Sequence, residues 1–374
     1  MPRRGARRAL SIAAEMRVVQ VRRTVANMRE YSPPEDAQRL AKRLGVPLKA
    51  IHKLDGNENP YGASPRVCQT LASFAGYHLY PDSEQEAIRG WIGSYAQIDP
   101  AHIVVGNGSD EVIDLLMKAF LDPGDEVMDF PPSFGMYSFL AQQYAAPVVE
   151  VERDDRFEID PERALAALTP RTRLIILTTP NNPTGNSLPR STLLALLETG
   201  RIVVIDEAYL EFSCCPSLIS EVVEHPNLIV LRTFSKWAGL AGLRVGYGVM
   251  PLPIIRQVWK LKPPFSLNVA AVEAVRVSIE DRGLLFENCR KIVAERRRLL
   301  QELGGVSFLR PYPSDANFVL CDVLDRDAFE LRQALAERGI LVRYYRTARL
   351  RNSIRISVGK PPDTDAVLAA LRSL

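Results

Sequence analysis

Residues 174–209 read LIILTTPNNPTGNSLPRSTLLALLETGRIVVIDEAY. Leu174–Thr178 is an apolar, β-branched run, and Asn181-Asn182-Pro183-Thr184-Gly185 is a turn in composition. Ser191–Leu197 then carries apolar residues at helical spacing, and Ile202–Ile205 is a second apolar run closed by Asp206. Strand, turn, helix and strand in so short a span predict parallel strands joined by a crossover helix. The alternation continues on both sides. Further candidate strands are Ile103–Gly106, Glu126–Phe130, Val148–Val151, Leu228–Leu231 and Val245–Val249, with amphipathic stretches at Asp110–Phe120, Met136–Tyr144 and Pro161–Leu168. The expected fold class is therefore α/β, with a mostly parallel seven-stranded sheet flanked by helices. Ligands of such sheets collect in the loops beyond the carboxyl ends of the strands.

Past Pro263-Pro264 the texture changes. Val269 to Leu303 reads as long helical sequence ending at Gly304-Gly305. A strand (Ala316–Leu320), a helix (Asp327–Arg338), two strands (Ile340–Tyr344 and Ser353–Val358) and a last helix from Asp363 follow, which predicts a smaller α+β domain. Pro33–Gly45, with Ser32 as cap, reads as a helix able to dock on it. The expected organisation is a basic, disordered extension over 1–30, a docking segment over 31–60, a large domain over 61–264 and a small domain over 265–374.

Composition narrows the function. The chain has 374 residues, 47% hydrophobic and 24% charged, as expected of a globular protein with a sizeable core. No apolar run is long enough to span a membrane. Five cysteines, none in a CxxC pair, suit reduced thiols in a cytoplasmic protein, and no metal is expected. The net charge of +3 is uneven: residues 1–30 hold eight arginines against Glu15 and Glu30, a net of +6, which leaves −3 for the rest. A body of that charge does not suit nucleic-acid binding. The arginine-rich head resembles a transit peptide in composition, a mobile tail, or sequence upstream of a start at Met16 or Met28.

Four segments carry chemistry, each at a strand end. In Thr233-Phe234-Ser235-Lys236 the amine stands just past an apolar strand, where desolvation equips a lysine to hold a carbonyl compound as a Schiff base. Asp206, in Asp206-Glu207-Ala208-Tyr209, puts a carboxylate at the lip of a buried sheet. There it needs a partner: a protonated pyridine nitrogen, a metal or an ion pair all remain open. One asparagine of Asn181-Asn182-Pro183-Thr184-Gly185 can point inward to a ligand oxygen. Gly106-Asn107-Gly108-Ser109-Asp110 opens a helix with small residues, leaving N–H groups free for a phosphate.

Together, in this order and spacing, with Arg244 eight residues beyond Lys236, these segments resemble the pyridoxal-phosphate aminotransferases of the aspartate aminotransferase fold, over roughly residues 31–374. The resemblance implies pyridoxal 5'-phosphate as cofactor, Lys236 as Schiff-base lysine and proton carrier, and Asp206 as partner of the ring nitrogen. It implies Tyr209 and Asn182 at the phenolic oxygen, Phe134 stacked on the ring, and Ser109, Asp110, Ser235 and Arg244 around the phosphate. Tyr80, in Leu79-Tyr80-Pro81-Asp82, resembles a tyrosine that reaches the phosphate of a neighbouring subunit, which implies a homodimer with shared sites.

Within that fold the pattern is most similar to the histidinol-phosphate aminotransferase family. The similarity lies in Asn57-Glu58-Asn59-Pro60-Tyr61-Gly62, in Pro131 to Tyr137, in Phe234 to Arg244 (with Trp237 where a small residue is commoner), and in Gly339–Tyr345 and Ile354–Gly359. Here the resemblance implies Arg355 at an α-carboxylate, for which its planar fork is suited, and Arg343 with Tyr31 at the substrate's phosphate. The implied reaction exchanges an amino group between histidinol phosphate and 2-oxoglutarate. Aromatic amino-acid aminotransferases share nearly every motif, threonine-phosphate decarboxylases are close relatives, and a non-catalytic sensor domain is the reading from another class. That last reading needs a DNA-binding domain for which residues 1–30 are too short.

Overall fold

A computed structural model describes residues 21–28, 30–31 and 35–374. Residues 1–20, with most of the arginines of the expected extension, lie outside the described residues, as does the expected cap Ser32. Within the rest of that extension Arg23–Asn27 is a short helix packed on helix Met136–Gln143, and Arg22 donates to the Gln143 carbonyl. The docking helix begins at Ala37, later than expected, because the Asp36 carboxylate accepts from Arg39 N and caps it there; Gly45, at φ +68°, ends it.

Twelve strands form two sheets among the described residues. They are β1 (His52–Leu54), β2 (Ile103–Gly106), β3 (Glu126–Asp129), β4 (Val148–Glu150), β5 (Thr172–Thr178), β6 (Ile202–Asp206), β7 (Leu228–Thr233), β8 (Gly246–Val249), β9 (Leu309–Pro311), β10 (Phe318–Val323), β11 (Ile340–Tyr344) and β12 (Ser353–Ser357). The large sheet runs β2-β8-β7-β6-β5-β3-β4, and only β8 runs against its neighbours. All seven strands stand where the apolar runs put them.

Why those runs are apolar throughout follows from their burial on both faces. Val203 and Ile205 of β6 point into one core with Ile175 and Leu177 of β5, while Val204 points into the other with Leu174 and Ile176. The sheet is thus sandwiched, and its polar atoms emerge only at strand ends. Asp206, the last residue of β6, is where the apolar run stops.

The small sheet runs β1-β11-β12-β10-β9. Strand β1 joins it in parallel to β11, so the chain before the large sheet is anchored in the small one. Sequence reading missed β1 and β9: each spans three residues and carries a lysine or an arginine, which breaks any alternation. The expected strand Ala316–Leu320 instead begins at Phe318, just after Asn317, whose side-chain amide donates to the Asn57 carbonyl. The long helical stretch is two helices, Val269–Glu280 and Arg282–Leu303. They part at Asp281, whose carboxylate is held by Ser64 and Arg66.

Candidate active site

The carboxyl ends of β5, β6 and β7, the start of helix Ser109–Phe120 and the loop before Met136 enclose one cavity. Its walls are Ser109, Asp110, Phe134, Thr178, Asn182, Asp206, Ala208, Tyr209, Thr233, Ser235, Lys236, Ala241 and Arg244. Nine residues marked in the sequence therefore converge on one space, drawn from segments more than a hundred residues apart.

At the floor Asp206 is only 3% exposed. Its Oδ2 accepts from the Tyr137 hydroxyl at 2.9 Å and its Oδ1 from Ala208 N at 3.0 Å. Burial pushes its carboxyl up to about 6, and these two neutral donors offset only part of the cost. No cation among the described residues pairs with it. A carboxylate so placed is suited to a cationic ligand group.

Lys236 extends its Nζ to the Gly56 carbonyl at 3.1 Å. Burial, and then the nearby Arg355 guanidinium, bring its amine down to about 8. Tyr209 is buried beside it, with Nζ 5.9 Å from the ring centre. The Tyr209 oxygen accepts from Asn57 Nδ2 at 3.1 Å, which leaves its own proton for another partner. Burial also raises this phenol to about 12, so it stays a donor at neutral pH.

The asparagine pair splits its duties. Asn181 turns away and donates to the Pro132 carbonyl and to Thr184 Oγ1, fixing the loop, whereas Asn182 faces the cavity. Asn182 Oδ1 accepts from Arg355 Nη1 at 2.6 Å, and Arg355 Nη2 donates to the Asp55 carbonyl at 2.7 Å. Among the described residues Arg355 Nε is buried without a hydrogen-bond partner, a donor left for a ligand.

Across the cavity Gly108, at φ +86°, precedes helix Ser109–Phe120. Arg244, itself at φ +52°, swings its guanidinium onto Asp110 Oδ2 at 3.0 Å. A Cβ on Gly246 would overlap Ser109 N, and one on Gly108 would overlap the Arg244 guanidinium. These glycines let strand, helix start and arginine crowd together, a cradle of the kind that binds phosphate.

Arg343 and Tyr31 do not reach this cavity. They line a neighbouring one with Tyr345, Arg332, Arg346 and Asp55. Strand register explains the juxtaposition: Arg343 of β11 and Arg355 of β12 are direct cross-strand partners. Arg355 lines neither space, but it ties them together, bonding Asn182 of the first and the Asp55 carbonyl of the second. Tyr80 does not line the cavity of its own chain; it is 82% exposed, with its ring against Phe265. Sequence reading gave no role to Tyr137, Thr178, Asn57 or Asp55. Tyr137 and Asn57 lie inside quoted motifs, and the signal for Tyr137 was its place three residues after Phe134, one helical turn further on.

This fold and site define a class. Residues 49–371 match the family described as aminotransferase class I and II, and the chain belongs to that family of enzymes. Among curated proteins it is 46% identical, over 86% of this chain and 89% of the other, to a histidinol-phosphate aminotransferase of Dehalococcoides mccartyi. It is 44% identical, over 95% and 98%, to one of Roseiflexus castenholzii. The histidinol-phosphate aminotransferase of Sinorhizobium meliloti, solved in complex with pyridoxal-5'-phosphate, superposes with a TM-score of 0.85 at 26% identity, over 95% of this chain and 98% of that one. Among the described residues no helix is long and apolar enough to cross a membrane, and no cluster of side chains suited to a metal occurs.

Proposed function

We propose that this chain transfers the amino group of L-histidinol phosphate to 2-oxoglutarate, giving imidazole-acetol phosphate and L-glutamate, a step of histidine biosynthesis, with pyridoxal 5'-phosphate held in the cavity around Lys236. The observation that carries the reading is the convergence of a desolvated amine, a buried carboxylate without a cation and a helix-start phosphate cradle in one space. The residues fit that cofactor: Asp206 would receive its ring nitrogen, Phe134 would cover the ring, Tyr209 and Asn182 would meet its phenolic oxygen, and Ser109, Asp110 N–H, Ser235 and Arg244 would hold its phosphate.

When bound, the cofactor supplies an electron sink for the charge left at the substrate's α-carbon. The protein's own residues do the rest. Lys236 Nζ, brought down to about 8, is neutral often enough near pH 8 to act as nucleophile and to carry a proton. Asp206 stays ionised once a cation faces it, since an opposite charge reverses the effect of burial. Arg355, whose Nη atoms are already fixed by Asn182 and Asp55, presents a preset fork to the α-carboxylate of glutamate or 2-oxoglutarate. Arg343, with Tyr31, lies one strand away on the side where a distal phosphate would project. The exposure of Tyr80 supports a homodimer in which this phenol completes the phosphate site of a second copy. A cytoplasmic location suits such an enzyme.

The test is a half-reaction on purified protein, following the visible band of bound cofactor. Histidinol phosphate is expected to bleach it rapidly, with histidinol and phenylalanine far slower at matched concentration. A faster response to phenylalanine would make the enzyme an aromatic aminotransferase. Lys236→Ala, expected to fold but to show no such band, is the control that ties the signal to this amine; an unchanged band would sink the assignment.

A further inference from the structure

Tyr137 takes no part in the chemistry just described, yet its surroundings are unusual for a core tyrosine. It is fully buried in helix Met136–Gln143, and its ring stands edge-on to Phe134 with centroids 5.6 Å apart. Its hydroxyl lies 2.9 Å from Asp206 Oδ2 and 2.7 Å from Thr178 Oγ1. A phenol has one proton, and a carboxylate can only accept. The proton is therefore committed to Asp206, and the Thr178 hydroxyl donates in turn to the phenol oxygen. The chain runs one way, from Thr178 through Tyr137 to a single carboxylate oxygen. With Ala208 N on the other oxygen, both atoms of the carboxylate are held and its plane is fixed.

The elements involved support a dedicated arrangement. Thr178 and Asp206 are cross-strand partners at the ends of β5 and β6, and the tyrosine spans both from the helix above them. A backbone carbonyl would have satisfied a merely structural phenol. Here both partners are side chains that line the cavity. Charge-assisted hydrogen bonds of this kind are among the stronger ones, and a chain of them polarises along its length.

We infer that Tyr137 is a positioning residue, which acts through Asp206 to keep that carboxylate ionised and aimed into the cavity, with Thr178 setting the direction of the phenol's proton. The inference rests on the proposed role of Asp206 as partner of the cofactor's ring nitrogen.

The test uses full-length protein freed of cofactor and titrated with pyridoxal 5'-phosphate, with binding read by absorbance and fluorescence. Tyr137→Phe removes only the hydroxyl. It is expected to weaken cofactor binding by roughly tenfold or more, as the loss of one hydrogen bond to a charged group implies. It should also lower kcat while leaving the KM for the amine donor close to that of the wild type. In an Asp206→Asn background the same substitution should change cofactor affinity by less than about twofold, because the group it acts through is gone. Equal losses in both backgrounds would mark a packing role and overturn the inference, as would unaltered affinity in Tyr137→Phe. Should Tyr137→Phe not fold, Thr178→Val probes the same chain: a smaller loss that depends on Asp206 is expected, and no loss overturns it. If the wild type binds no cofactor the proposed function falls and this inference with it, whereas wild-type binding with an indifferent Tyr137→Phe removes this inference alone.

Discussion

Replacing Asp206 by asparagine should stabilise the cofactor-free protein while damaging the enzyme. Burial pushes the Asp206 carboxyl from 3.8 to about 6, because the folded protein disfavours its charge. A carboxyl raised on folding contributes favourably only while protonated. That contribution is present below the unfolded value and is lost as pH rises through the folded value. Above pH 6 the charged side chain is therefore a net burden of about 3 kcal/mol. Asparagine keeps the shape and has no charge to bury. Its Oδ1 can accept from Ala208 N, and its amide can donate to the Tyr137 oxygen once the phenol turns its proton to Thr178. The substitution should thus raise the urea midpoint of cofactor-free protein at pH 8 by the equivalent of about 2–3 kcal/mol, allowing for imperfect repacking. At pH 5 the gain should shrink to roughly half. Measurements at fixed protein concentration keep any subunit association constant. With pyridoxal 5'-phosphate present the order should reverse. A variant less stable than wild type at pH 8 without cofactor would refute the reasoning, since it would mean that the carboxylate is already well compensated.

Two further outcomes are expected. Gly246→Ala would drive a methyl into Ser109 N and push the start of its helix off β8; an equilibrium titration should show pyridoxal 5'-phosphate binding weakened by about tenfold or more, at a stability cost of about 1–3 kcal/mol. Arg343→Ala should raise the KM for a phosphorylated amine by about tenfold or more and that for its unphosphorylated analogue far less, and equal effects on the two would remove Arg343 from the phosphate role.

The large sheet was legible because burial on both faces writes each strand as an unbroken apolar run, and such runs need no partner to be recognised. The same physics exposed Asp206 and Lys236, which stand where a run gives way to polarity. Residues that act across sequence were harder to see. Asn57 meets Tyr209, Ser357 and Asn317 in space, all of them at least 150 residues away, and no local pattern announces that. Tyr137 reads in sequence as one more aromatic on an amphipathic helix; its role emerges only when β5 and β6 bring Thr178 and Asp206 under it. Helix ends were decided by single side chains: Asp36 caps its own first turn, whereas Asp281 is held by Ser64 and Arg66 from more than 200 residues away. The short strands β1 and β9 owe their existence to neighbours that supply the hydrogen bonds, since their own composition does not favour extension.

Under the proposed function, in which Arg355 and Arg343 take the two ends of a substrate, their cross-strand pairing makes the small sheet a caliper. Their α-carbons face each other across adjacent antiparallel strands, so about 5 Å of backbone separates the two jaws, and that gap is set by main-chain hydrogen bonding. Side-chain replacement can alter the reach of either jaw, but not the distance between their roots. A relative of this chain that accepts longer or shorter substrates would have to do so through the length of the side chains at these two positions or through loops in front of them. The strand pair itself would stay as it is.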